Sequence, residues 1–466
     1  MRLCLINPVN PLALSKIRSG RWNRYRIWKP LGLLTVAALT PSDWDVTVID
    51  ENLGLRDYEA MPRPDLVGIT AFTSQASRAY ELSERFRSRG VPVVMGGIHA
   101  SMCPDEATSH ADSVVMGEAE GVWKRVLDDL HDGTLKGVYE SEMVETDGIP
   151  PARHDLLPDG YAFGAIQTTR GCPLNCSFCS VTAFNGSRYR HRPIADVIAE
   201  MRLIREKLVL VVDDNLIGIS TLHLKRAKDL FRAMIDAHLG KKWIAQVTIN
   251  MADDEELLTL AARAGCVGVF IGFESPTPEG LAEVGKKFNI IKGRDPRAAV
   301  KCIQRHGILV VGSFIIGLDS DGRGIGRRIA DASSSYGVDI LNTLFLTPLP
   351  GTRLWDKMES EGRIGTSSMP HDWRYFTLTF PVAKYKQLTR DQIIREMDSC
   401  DRRFYSPWRM VRRMCGSIWK RRHPLVSLIS NLSYRGSLAA NHRAYRRFSL
   451  AQEAESAATA GSRNGL

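Results

Sequence analysis

Cys172, Cys176 and Cys179 are spaced C-x3-C-x2-C in a loop that directly follows a candidate strand. Three thiolates in one short loop can converge on one metal centre, and soft thiolates favour an iron–sulfur cluster or zinc. A structural zinc site needs a fourth nitrogen or sulfur ligand. The other six cysteines, Cys4, Cys103, Cys266, Cys302, Cys400 and Cys415, are each isolated from the trio. A three-cysteine loop suits a [4Fe–4S] cluster with one iron left open, and an open iron can chelate a small molecule. Further polar and glycine positions follow later apolar runs: Asp213, Asp214 and Asn215, then Gln246, then Glu274 and Ser275, then Gly312 and Gly317. Each has a plain structural counterpart. Asp and Asn cap helices, a polar residue in a buried strand needs some partner, and Glu274 can pair with Lys286 or Lys287.

The elements that must position these residues alternate strand and helix. In residues 1–140, apolar runs at 3–7, 45–50, 65–70, 92–96 and 113–116 are separated by helical stretches such as 75–89 and 120–131. This pattern predicts a doubly wound parallel sheet with covering helices, as an α/β domain over 1–145. Ligands of such sheets sit beyond the carboxyl ends of the strands, and Gly96-Gly97 would let backbone approach one closely. Residues 146–162 are rich in Pro, Gly and Asp and read as a linker. Six more strand–helix units, with strands near 165–168, 208–212, 243–249, 267–272, 309–316 and 339–347, suggest a whole or partial barrel over 163–350. Residues 351–466 read as an α-rich region, first aromatic, then basic, with a frayed end from 451.

Composition bounds the rest. The chain has 466 residues, 44% hydrophobic and 24% charged, as expected of a folded protein of two or three domains. No apolar run approaches the ~18 residues of a membrane span. Nine cysteines, an odd and scattered number, do not form a secreted disulfide framework, and a cytoplasmic setting is expected. The net charge of +10 resides wholly in residues 401–466, which hold 13 Lys/Arg and 3 Asp/Glu. There Arg409, Arg412, Arg413, Lys420, Arg421 and Arg422 alternate with Trp408, Met410, Val411, Met414, Ile418 and Trp419. That pattern fits either a helix lying on a membrane surface or a helix packed on the barrel.

The cysteine spacing, with Phe178 before the last cysteine, resembles the signature of the radical S-adenosylmethionine enzymes. The resemblance extends in order over roughly residues 1–400. It implies a partial (β/α)6 barrel and a [4Fe–4S] cluster on Cys172, Cys176 and Cys179, with S-adenosylmethionine on the open iron as the source of a 5′-deoxyadenosyl radical. It also implies cosubstrate contacts from Asp213, Asp214 and Asn215, from Gln246, from Glu274 towards the ribose, and from the Gly312–Gly317 motif beside the adenine. That motif ends in Asp319 where the family has glutamate. The domain ahead of the barrel resembles the cobalamin-binding domain of the class B radical methyltransferases. On that resemblance Thr73, Ser74, Gly96, Gly97, His99, Gly117 and Glu118 would cradle a corrin. The D-x-H-x-x-G motif of some corrinoid proteins is absent. The expected activity is cobalamin-dependent C-methylation of an unactivated carbon, on a lipid, isoprenoid or natural product, with flavodoxin or ferredoxin as electron donor. The alternatives are a cyclase, carbon–carbon coupling or oxidative enzyme of the same family, or, outside it, a nucleic-acid binder or zinc protein.

Overall fold

The computed structural model describes residues 1–14, 29–366, 368–420, 426–436 and 443–450. The first sheet contains β1 (Arg2–Asn7), β2 (Asp45–Asp50), β3 (Leu66–Thr70), β4 (Val93–Gly96), β5 (Ser113–Met116) and β6 (Val138–Glu140). Its order is β2-β1-β3-β4-β5-β6, and every pairing is parallel. β1, β3 and β5 are short apolar runs buried on both faces, as covering helices require, while the edge strands β2 and β6 are partly exposed. Strand order reverses at β1, so the crevice for a ligand opens between the loops after β1 and β3. β6 was not expected, because three residues are too few to carry a period.

The second sheet is built from β7 (Gly164–Ile166), then, beyond a two-stranded ribbon of β8 (Thr169–Arg170) and β9 (Arg190–His191), from β10 (Leu208–Val211), β11 (Lys242–Val247), β12 (Cys266–Glu274), β13 (Leu309–Ile316) and β14 (Ile340–Phe345). The order β14-β13-β12-β11-β10-β7 follows the chain, and β7 and β14 do not pair. Consecutive parallel strands with free ends form an open arc of six strand–helix units, the partial barrel expected.

Residues 146–162 are not a loose tether. Ala152, Leu157 and Tyr161 are buried in the core of the first domain. The Tyr161 hydroxyl donates to Asp50 Oδ2 at 2.6 Å, and the Arg153 N–H donates to the Leu34 carbonyl. Proline and glycine limit regular structure here to one short 3-10 turn, His154–Leu156, but the apolar residues around it still bury.

The C-terminal region packs back on the barrel. Helix Arg390–Phe404 lies along helix Ile325–Tyr336, with Ile393, Met397, Cys400 and Phe404 buried. On the next helix, Pro407–Lys420, Met410 is buried, Arg409 pairs with Asp331 and Arg413 lies over the Phe404 ring at 3.9 Å. Trp408, 78% exposed, and Val411 face outward. One face of the basic helix therefore serves packing, which leaves a smaller outward apolar face than the sequence pattern suggests. The side chains of Ile418, Trp419 and Lys420, and residues 421, 422 and 451–466, lie outside the described ones. Among the described residues, no helix is long and apolar enough to cross a membrane.

Candidate active site

Several interactions fix the cysteine loop before any cofactor is considered. Asp213, at the end of β10, accepts hydrogen bonds from the Thr168 N–H and from the hydroxyls of Thr168 and Thr169. Asp214 accepts from the Gly171 N–H and from Asn185, both at 3.0 Å. Gly171 has φ 85°, and a Cβ there would stand 2.2 Å from the Arg188 carbonyl oxygen, so only glycine fits before Cys172. From the other side, Arg353 donates to the Asn175 carbonyl at 2.6 Å and the Leu354 N–H to the Ser177 carbonyl at 2.9 Å.

Cys172, Cys176 and Cys179 line one cavity of about 1680 Å³ that runs between the loops of the first sheet, the inside of the barrel arc and the C-terminal region. Burial pushes their thiols up, Cys176 to about 12 and Cys179 to about 11, so a metal that binds them must displace protons. No three His, Cys, Asp or Glu side chains among the described residues converge tightly enough to hold a single ion. This donor set does not fit a closed tetrahedral zinc site. A four-iron cube is gripped through three separate irons, so its thiolates stand further apart, and three cysteines along one wall suit it. Among the described residues, neither a fourth cysteine nor a histidine lines the cavity, so a four-iron cluster held by these three would keep one iron without a side-chain ligand from them.

The barrel residues expected to meet the cosubstrate divide into two groups. Phe178, Asp214, Asn215, Gln246 and Glu274 line the cavity. Gln246 points inward from β11, between the outward and buried Ala245 and Val247. The Asn215 amide is buried beside Cys172, whose thiol it holds down against the rise that burial causes. Glu274 has φ 63°, a strained conformation for a side-chain-bearing residue, at a break in register between β12 and β13. It also pairs with buried Lys286 at 3.2 Å, so the ion pair and the inward position coexist. Asp213, Ser275, Gly312 and Gly317 do not line the cavity. Asp213 is consumed in holding Thr168 and Thr169. Ser275 bonds Thr277 at the entry to helix Pro278–Glu283. A Cβ on Gly312 would meet Val338 and Phe273, and one on Gly317 would meet Tyr385 and Ile393, so both glycines serve packing.

In the first domain Ser74, Gly96, Gly97, Gly117 and Glu118 line the cavity, with Gly32 and Ala71 beside them. A Cβ on Gly32 would meet nothing within 4 Å, so backbone there faces open space. A rim of such small residues at the sheet's switch point fits a broad, flat ligand such as a corrin. Thr73 and His99 turn away. His99 is buried, and its Nε2 bonds the Tyr80 hydroxyl at 2.8 Å beside Glu106, which also accepts from Trp373. Position after β4 suggested a ligand, but the ring belongs to this buried network. Glu118 faces the cavity from the end of β5 and joins the domains. It takes Arg190 through both oxygens at 2.6 and 2.8 Å and Arg170 at 3.0 Å.

The C-terminal wall holds residues that carried no local motif. Tyr375, Phe380, Tyr405, Tyr445 and Phe448 present rings to the cavity, with Asp401, Arg443 and Arg447 among them. The Asp401 carboxyl has no hydrogen-bond or ion-pair partner among the described residues, and burial, then Asp398 nearby, push it up to about 7. An unfolded Asp ionises near 3.9. The native state therefore retains a proton that the unfolded chain has lost, and this contribution to stability fades as pH rises from about 4 to about 7. Asp401→Asn should raise the thermal midpoint at pH 8 by on the order of a few degrees and leave it unchanged near pH 4. Melting curves of both proteins across this range test it, and parallel pH dependences would refute it.

Comparison with known proteins agrees with this geometry. The family model described as the radical SAM superfamily matches residues 166–323, and that described as the B12 binding domain matches residues 21–127. The chain is 30% identical over 400 residues to a bacteriochlorophyllide d C-12(1)-methyltransferase of Chlorobaculum tepidum, covering 83% of this chain and 85% of the relative. It is 28% identical to the hopanoid C-2 methylase of Rhodopseudomonas palustris, over 82% of this chain and 72% of that one. Among solved structures it resembles the radical S-adenosylmethionine methyltransferase TsrM of Kitasatospora setae, with a TM-score of 0.61 and 21% identity, over 78% and 77% of the two chains.

Proposed function

The chain belongs to the radical S-adenosylmethionine superfamily, in the branch that carries a B12-binding domain ahead of the barrel, and from that premise we propose that it methylates an unactivated carbon of a large, mainly apolar molecule. The single observation that carries this reading is the shared cavity. Its volume of about 1680 Å³ exceeds the ~300–1,000 Å³ of a site for one small ligand. It is walled by the cysteine loop, the small-residue loops of the first sheet and an aromatic C-terminal face. When bound, the cluster with S-adenosylmethionine supplies hydrogen abstraction and cobalamin supplies the methyl group.

The chain's own residues orient and exclude. Cys172, Cys176 and Cys179 hold the cluster. Asn215, beside Cys172, and Gln246 and Glu274 on the barrel's inner wall are suited to the polar groups of S-adenosylmethionine. Gly32, Ala71, Gly96, Gly97 and Gly117 leave room for the corrin face. The rings of Tyr375, Phe380, Tyr405, Tyr445 and Phe448 keep water from the reacting carbon, which a carbon radical requires. The two curated relatives described above act on a bacteriochlorophyllide and on a hopanoid, both bulky polycyclic molecules, and an aromatic wall suits such a body. Outward Trp408 and Val411 offer a contact for approach to a membrane surface, and a flavodoxin or ferredoxin is the expected reductant.

Anaerobically reconstituted protein, given reductant, hydroxocobalamin and S-adenosylmethionine with a trideuterated methyl group, is expected to yield a product in which that labelled methyl has replaced one hydrogen of the substrate. Extracts rich in polycyclic pigments and isoprenoids are the substrate pool, read by mass spectrometry. Unlabelled product that has lost hydrogen would instead support a cyclase or oxidative enzyme.

A further inference from the structure

The cavity's charged side chains are nearly all spoken for. Among its cations, Lys29 pairs with Glu206, Arg170 with Glu118 and Glu120, Arg192 with Glu200, and Lys286 with Glu274. Asp214 is engaged by the Gly171 N–H and Asn185. Two cations remain. Arg443 and Arg447 line the cavity, and among the described residues neither has a hydrogen-bond or ion-pair partner. They stand four residues apart on the helical stretch 443–450, so their side chains share one face. The same stretch is pinned by buried Tyr445 and Phe448, the latter 4.7 Å from the Tyr375 ring and 5.5 Å from the Phe380 ring. The two arginines thus stand beside an aromatic wall at the exposed edge of the cavity, whose one carboxyl without a partner among the described residues is Asp401, which burial pushes towards its neutral form.

We propose that Arg443 and Arg447 grip a carboxylate of the substrate, so that this enzyme acts on an amphipathic acid whose apolar body lies on the aromatic wall. This rests on the reading of the cavity as the substrate chamber. Two planar guanidinium forks match the planar carboxylate and can share its oxygens. Arginine at an exposed rim is hydrated, so each contact is modest, but two of them together favour an acid over the matching ester. The grip also fixes orientation. An acid anchored at the rim presents the same part of its body inward each time, which is what selects one carbon among many similar ones.

Dansylaminoundecanoic acid and its methyl ester, which fluoresce on entering an apolar site, test this without turnover. The intact protein loaded with cluster and cobalamin is expected to bind the acid about tenfold more tightly than the ester. Raising the salt concentration should erode that preference and leave ester binding unchanged. The double variant Arg443→Gln/Arg447→Gln should lose the preference and keep the ester affinity, which also reports that the wall is folded. Arg446→Gln removes the same charge from an exposed residue of this stretch that does not line the cavity, and should keep the preference. Failure to bind the acid, equal binding of acid and ester, or a preference that survives in the double variant would overturn the proposal. Methyl transfer is measured separately, so either idea can fail while the other stands.

Discussion

Cys176→Ala is expected to purify without the brown chromophore of the iron–sulfur cluster, with iron and sulfide lost together, and to form no 5′-deoxyadenosine from S-adenosylmethionine under reducing conditions. The expected loss is more than about a hundredfold, because altering even the outer partners of a metal ligand costs 10–100-fold. Cys176 is buried in a loop braced from two sides, and among the described residues no cysteine beyond the trio lines the cavity to replace it. Cys415→Ala, at an exposed position away from the cavity, is the matched control and should retain both chromophore and cleavage. The measurement needs no knowledge of the substrate. Cleavage retained by Cys176→Ala would remove this residue from the ligand set.

The second large effect is structural. Glu118→Ala removes a buried carboxylate that takes two arginines of the barrel and the Val144 N–H. Those arginines, together with the desolvation that opposes them, account for the low proton affinity of Glu118, since the charge-favouring contacts outweigh burial. Breaking one side of a buried ion pair costs about 3–5 kcal/mol, because the remaining charge is left unpaired. Here Arg190, almost wholly buried, would be stranded with the Asn185 and Val144 carbonyls as its side-chain acceptors among the described residues. The thermal midpoint should fall by on the order of 10 °C. The first sheet and the barrel should also unfold further apart in temperature than in the unaltered protein, because the clamp joins the first sheet to the ribbon that carries the cysteine loop. Calorimetry reads both effects. A midpoint that does not move would show that other contacts hold the domains together.

Much of the architecture could be read from the chain because it is written in local periodicity. Short runs such as LVGIT and LVVGSFII, spaced by amphipathic stretches, signal parallel strands wherever they occur. The cysteine trio was legible for the same reason, since all its ligands lie in one loop. Position after a strand proved a weaker guide. It located Gln246 and Glu274 on the inner wall, but it also selected His99, whose ring is claimed by Tyr80, and Gly312 and Gly317, whose missing side chains make room for neighbours. The partnership of Glu118 with Arg190 spans 72 residues, and no pattern within either segment announces it. Asp401, Arg443 and Arg447 were likewise hidden. As sequence they belong to a basic, helical tail, and only its return to the barrel turns three of its polar residues towards the cavity.

The chamber's walls include Leu5 at one end of the chain and Phe448 at the other. The small-residue loops of the first sheet and the cysteine loop form two of its walls, and the aromatic face that completes it comes from residues 375–448. No single domain therefore encloses the chamber, and it takes shape only when segments far apart in the chain have packed together.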